Sequence, residues 1–317
     1  MPADPILALT AARSLAALRR IGDRVLQTPL LRSATGEGLF FKCENFQATG
    51  SFKLRGAMAR LTALPTDRPV ITASSGNHGI ACSHAAADTG HDLTVVLPET
   101  VAQAKLEKIR AYGTRVILHG ADAGLAEAHA QSLAASGSHV YVSPYNDAEV
   151  IAGQGTIALE LLAQMPRIDN VFVAMGGGGL ISGIGAVIRT ASPATRVIGV
   201  SASASAALAA SMVAGTVVET EHRDTLADGV AGSVDPGAIT LPLAIAAVDR
   251  VLQCDEAAIG AALRRLAWTE KMLVEGAAAL ALAGYLQIAA ECRGQTSVVL
   301  LCGANFDRAR IMAVLSA

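Results

Sequence analysis

Aromatic side chains make up only 3% of this sequence, and charged ones only 16%. A net charge of -2 excludes the strongly basic surface that nucleic acid or an anionic membrane would need. No apolar run approaches the roughly 20 residues that span a bilayer, which excludes a transmembrane helix. The five cysteines (Cys43, Cys82, Cys254, Cys292 and Cys302) are odd in number and scattered. No pair has zinc or redox spacing, and reduced thiols in a cytoplasm fit best. Met1-Pro2-Ala3-Asp4 lacks a basic n-region and a cleavage site, so no signal peptide is expected. His84, His91, His119, His129, His139 and His222 show no metal-ligand spacing, and no metal site is expected. A P-loop ending in Gly-Lys-Ser/Thr and a Gly-x-Ser-x-Gly elbow are both missing.

What is present is small and aliphatic. Hydrophobic residues form 52% of the chain, mostly Ala, Val, Leu and Ile. Its 317 residues suffice for one large or two medium domains. Asp4-Pro5 reads as an N-cap with proline at N1, opening a helix to about residue 20. Short β-rich runs, several of them continuously apolar, then predict strands at 39–43, 70–73, 93–97, 115–118, 140–143, 171–174, 196–200 and 297–301. Ala-rich stretches between them predict helices at 79–88, 101–112, 125–135, 151–164, 179–190, 256–272 and 275–289. This alternation predicts an α/β fold with open, mostly parallel, twisted sheets and helices on both faces. The units between 70 and 143 suit a separate small sheet.

Four segments carry chemistry. Lys53 lies between Phe52 and Leu54, inside a 17-residue run from Phe41 to Ala57. Partial burial would depress its pKa and make a nucleophilic amine; a snorkelling surface lysine is the bland alternative. Ser74-Ser75-Gly76-Asn77-His78-Gly79 joins a strand to a helix. Backbone N–H groups there, with serine hydroxyls and an asparagine amide, suit a carboxylate; an ordinary turn with a serine cap fits equally. Gly176, Gly177, Gly178 and Gly179 follow another strand and open a helix. A backbone without Cβ atoms can cradle a phosphate, or simply turn tightly. Cys302 ends the last strand, where a buried thiol is usually inert packing.

In combination and order these segments resemble the fold-type II pyridoxal-phosphate enzymes, specifically the serine/threonine dehydratase and serine racemase group. The likeness runs from Thr28 to Asn305 and includes Gly153-Gln154-Gly155-Thr156 and Thr225-Leu226-Ala227-Asp228-Gly229. It implies a tryptophan synthase β-like fold. Residues 1–68 and 147–317 would form a large cofactor domain, and residues 69–146 a small domain carrying the carboxylate loop. It implies pyridoxal 5'-phosphate as cofactor, with Lys53 forming the Schiff base and Phe52 beside it. Residues 176–179 would hold the phosphate, Asn77 the phenolic oxygen, and Cys302 the pyridine nitrogen. Glu275 would sit close to the ring. Ser74, Ser75, Asn77, His78 and Tyr145 would contact substrate.

The implied reaction is loss of water and ammonia from a β-hydroxy amino acid such as L-threonine or L-serine. The freed Lys53 amine would be the general base. A serine-type racemase is the alternative, with Ser75 supplying a proton from the opposite face. A non-catalytic homologue is a third reading, against which the intact lysine counts. The likeness also implies a cytoplasmic homodimer whose partner is a small amino acid. Two positions depart from the pattern. Ser201 stands where many relatives carry a cation-binding glutamate, so no divalent site is expected there. Gly276 replaces the usual proline after Glu275.

Overall fold

The computed structural model describes residues 4–35 and 38–316. Met1, Pro2 and Ala3, read above for a leader, lie outside the described residues. The chain opens with α1 (Pro5–Ile21), capped by the Asp4 side chain on the Ile6 N–H. β1 (Leu30–Arg32), β2 (Leu39–Cys43) and α2 (Lys53–Leu61) follow. Next come β3 (Val70–Ala73), α3 (Asn77–Thr89), β4 (Leu93–Leu97), α4 (Gln103–Arg110), β5 (Arg115–Leu118), α5 (Ala123–Ala135) and β6 (Val140–Tyr141). Then α6 (Ala148–Gln164), β7 (Asn170–Ala174), α7 (Gly179–Ala191), β8 (Arg196–Ala202) and α8 (Ala207–Ala214). The chain ends with α9 (Thr240–Ala247), β9 (Arg250–Cys254), α10 (Glu256–Trp268), α11 (Gly276–Gln287), β10 (Ser297–Leu301) and α12 (Arg308–Ser316).

The strands form two sheets, in the orders β1-β2-β10-β7-β8-β9 and β5-β4-β3-β6. Every pairing is parallel except that of the edge strand β1 with β2. The central strands β7 and β10 are buried along their whole length, which matches their continuous apolar sequences. In register, Leu301 of β10 lies beside Cys43 of β2. The carboxyl ends of β2, β7, β8 and β10 therefore share one edge of the larger sheet, where open α/β sheets place their ligands.

Some elements differ from the sequence reading. β6 is two residues long because Val142 bonds onward to Ile71 and Pro144, which lacks an N–H, then stops the ladder. The helix predicted at 256–272 ends at Trp268, and Lys271 turns with φ 62°. Strands β1 and β9 and helices α2, α9 and α12 were not anticipated. α2 packs Leu54, Ala57, Met58 and Leu61 inward, all fully buried, at the i, i+3, i+4, i+7 spacing of a helix.

Candidate active site

Lys53 is the first residue of α2. The segment before it runs along the end of β10: Ser51 bridges Gly303, and the Phe52 N–H donates to the Cys302 carbonyl at 3.0 Å. Two strands far apart in sequence thus set where Lys53 begins. Its side chain is partly buried, and Nζ donates to the Pro144 carbonyl at 2.7 Å. The amine also lies 5.3 Å from the centre of the Phe52 ring. Burial disfavours the ammonium and lowers its pKa to about 8, against weaker opposing pulls from Cys82, Cys302 and Glu275. Lys53 therefore gives up its proton more readily than a solvated lysine does.

The loop after β3 leads straight into α3. Gly79 is required there, since a Cβ would lie 1.9 Å from the Ser74 carbonyl oxygen. Asn77 Nδ2 donates to Glu275 Oε1 at 2.9 Å and Oε2 at 3.1 Å. Its Oδ1 accepts from Asn305 Nδ2 at 2.7 Å, and the other Asn305 hydrogen goes to the Thr49 carbonyl at 2.8 Å. Both hydrogens of Asn305 are used, so the orientation of the Asn77 amide is determined. The small-sheet helix α3 is tied to the large sheet through these two amides.

His78 is buried, with Nε2 3.1 Å from the Val142 carbonyl and 3.5 Å from Cys82 Sγ. A carbonyl only accepts, so Nε2 carries the proton; burial keeps the ring neutral and lowers its pKa to about 3. Ser74 Oγ accepts from the Gly76 N–H at 3.2 Å. Ser74 and Ser75 are both partly exposed in the loop.

Residues 176–179 join β7 to α7, and Gly178 takes φ 91°. A Cβ at Gly177 would meet the Tyr145 ring at 2.5 Å, and one at Gly176 would meet the Val230 backbone at 2.8 Å. The Tyr145 hydroxyl accepts from the Asp235 N–H at 2.9 Å. α1, α5, α6 and α10 are each capped by an aspartate side chain. α3 and α7, like α2, α4, α8, α9 and α11, have no side-chain cap, so an anion could meet their first-turn N–H groups.

Cys302 is buried, and burial together with the adjacent Glu275 raises its pKa well above the ordinary thiol value. Its Sγ lies 3.9 Å from Glu275 Oε1. Burial also raises the Glu275 pKa to about 7, although Asn77 and the Asn305 N–H, at 3.0 Å, stabilise its charge. Lys53, Asn77, Glu275 and Cys302 therefore converge, and Tyr145 lies against the glycine loop. Asn305 and the Pro144 carbonyl were not singled out from sequence. The signal for Asn305 was its place three residues past Cys302.

The profile of the pyridoxal-phosphate dependent enzymes matches residues 21–303. The chain belongs to this family. Pyridoxal phosphate is the family's cofactor, and the residues here fit it on structural grounds. They offer a lowered-pKa lysine, a glycine turn in which a Cβ would clash, and two buried hydroxyls, Thr49 and Ser51, without hydrogen-bond partners. The chain is 38% identical to an L-threonine ammonia-lyase of Geobacter sulfurreducens over 304 residues, covering 93% of this chain and 75% of that one. It superposes on threonine deaminase isoform 2 of Solanum lycopersicum with a TM-score of 0.93 at 30% identity, covering 100% of this chain and 90% of that one. Maize serine racemase gives 0.88 at 30% identity, with 100% and 98% covered. Among the described residues no group of three or more His, Cys, Asp or Glu is arranged to hold a metal. Ser201 is buried with its hydroxyl unpartnered. No described helix is long and apolar enough to cross a membrane.

Proposed function

We propose that this chain is an ammonia-lyase (dehydratase) that converts a β-hydroxy amino acid such as L-threonine or L-serine to a 2-oxo acid and ammonia. The observation that carries it is the Lys53 amine, with its pKa lowered to about 8 within one hydrogen bond of the Pro144 carbonyl. The cofactor, when bound, supplies an electron sink for charge developing at the substrate Cα. The first-turn N–H groups of α7 and residues 176–179 would hold its phosphate. Phe52, Asn77, Glu275 and Cys302 would line its ring. Ser74, Ser75, Asn77 and His78 belong to the loop that would take the substrate carboxylate, and Tyr145 would face the substrate side chain. Lys53 would accept the Cα proton as general base. The β-hydroxyl would then leave as water, taking up one proton in balance with the one removed from Cα, and the released enamine would take up water and give off ammonia.

Incubating the cofactor-loaded protein with L-threonine, L-serine and other 3-hydroxy amino acids, and following 2-oxo acid, tests this. No product from any of them would end the proposal. A racemase is the second reading, favoured by the Ser75 hydroxyl in the carboxylate loop and by the likeness to maize serine racemase. Chiral analysis of recovered serine separates the two. A Ser75→Ala variant that still racemised would remove that role.

The proposal extends to the molecule's setting. Residues 69–146 would act as a small domain carrying the carboxylate loop, and residues 1–68 and 147–317 as the cofactor domain. All five cysteines are unpaired and buried, which favours a reducing cytoplasm. We infer a second copy as partner from the family likeness. Sedimentation of the pure protein tests that.

A further inference from the structure

The segment that carries Lys53 also carries three buried charges that the chemistry above leaves unused. Lys42, Glu44 and Arg55 are fully buried, and Glu160 of α6 is nearly so. Arg55 forms a double fork. Nε and Nη2 donate to the two Glu44 oxygens at 2.8 Å each, and Nη1 and Nη2 donate to Glu160 at 2.6 and 2.8 Å. Nη1 also reaches Thr156 Oγ1 at 3.1 Å, and Nη2 the Leu26 carbonyl at 3.1 Å. Lys42 Nζ donates to Glu160 at 2.6 Å, to the Thr28 carbonyl at 2.8 Å and to Gln164 at 3.1 Å. Thr28 Oγ1 donates to Glu44 at 2.6 Å. Two cations and two carboxylates balance, and every charged group has partners.

Such a buried quartet is weak evidence of stability, because desolvation offsets its attraction. It does, however, impose geometry. A guanidinium bound on two edges admits one orientation, unlike an ammonium. Arg55 lies two residues past Lys53, roughly 200° around the helix axis. One side chain anchors the back of α2's first turn while the other faces Pro144. No side chain caps this helix start. The α2–α6 contact also leaves no room for slippage, since a Cβ at Gly153 would lie 2.4 Å from the Arg55 carbonyl oxygen.

We propose that Arg55 is a positioning residue for Lys53, fixing the rotation of α2 through its clamp on Glu44 and Glu160. The proposal rests on the reading of Lys53 as the reactive amine. Its main readout needs neither cofactor nor substrate. In the cofactor-free full chain, the pH profile of Lys53 reductive methylation, followed by peptide mass spectrometry, reports the amine directly. Arg55→Lys keeps the charge and loses the planar fork. It is expected to move that midpoint by about half a pH unit or more. In the loaded enzyme kcat should fall about tenfold or more while KM changes less than about threefold. A variant that melts earlier but keeps the wild-type midpoint and kcat would overturn the proposal.

Should Arg55→Lys fail to fold, Glu160→Gln and Thr156→Val each weaken the guanidinium's α6 side and leave Glu44 in place. At least one of them should shift the midpoint, and two unchanged midpoints would also overturn the proposal. A wild-type chain without lyase activity but with a midpoint that shifts in the variants would refute the lyase reading alone.

Discussion

Gly276→Ala examines one of the two tightest contacts at the candidate site. The new Cβ would lie 1.9 Å from the Leu226 carbonyl oxygen, whereas ordinary contact begins at 3.4 Å. Relief therefore needs a shift of about 1.5 Å in main chain. The neighbouring main chain is poorly placed to move. Leu226 N–H is held by Glu256 at 2.6 Å, and the Thr225 carbonyl by Arg310 at 2.6 Å. Overpacking of this kind costs about 1–3 kcal/mol. Removing a glycine from a helix returns at most about 1 kcal/mol, and less at the first helical position. The net loss is about 0.5–3 kcal/mol, or roughly 1–5 °C in melting temperature for a chain of this size. Gly260→Ala is the control: it sits inside α10, and its Cβ would find its nearest atoms at 3.7 Å or beyond. It should be neutral or gain up to about 1 kcal/mol. Thermal and urea unfolding of the pair, side by side, checks the difference. If Gly276→Ala melts with or above the control, the contact argument is wrong.

Three further outcomes follow from the site. Lys53→Ala should abolish borohydride fixation of the cofactor and lower kcat by about 10³-fold or more, read by mass spectrometry and 2-oxo acid release. The Lys53 pKa falls from 10.5 unfolded to about 8 folded. The unfolded chain thus binds more protons between those values, and the cofactor-free protein should gain up to about 2–3 kcal/mol as pH rises through that window. Urea titrations at both ends check it; a flat profile would count against burial of the amine. For Glu275, whose pKa rises from 4.5 to about 7, the native state holds more protons in between, so stability should fall across that range. Glu275→Gln should remove that slope and exceed wild type by about 1–3 kcal/mol at pH 8 in denaturant titration.

Much of the fold was legible because its strands are buried on both faces. The runs at 39–43, 70–73, 93–97 and 297–301 coincide with β2, β3, β4 and β10, and β5 coincides with 115–118 although it is an edge strand exposed at both ends. β9 escaped because it is an edge strand with Arg250 and Gln253 exposed, so its run of apolar residues is broken. α2 escaped for a different reason. Its 54, 57, 58, 61 spacing is helical, but the Gly/Ser residues just before it read locally as a turn. Asn305 was illegible as a partner of Asn77 because 228 residues separate the two. Nor does any local pattern tell that Arg55 will meet Glu160, 105 residues on. Only the closed fold brings such pairs together.

The saturated amide of Asn305 has a chemical consequence of its own. Both of its hydrogens point at oxygens, Thr49 O and Asn77 Oδ1, and its own N–H meets Glu275. Spontaneous deamidation would replace that donor with a carboxylate facing two acceptors, with the Glu275 carboxylate nearby. Two attractions would become two repulsions at the seam between the sheets. A mass change of about one dalton at Asn305 would therefore mark molecules in which α3 has lost its tether, a form of wear written into the side chain that orders the site.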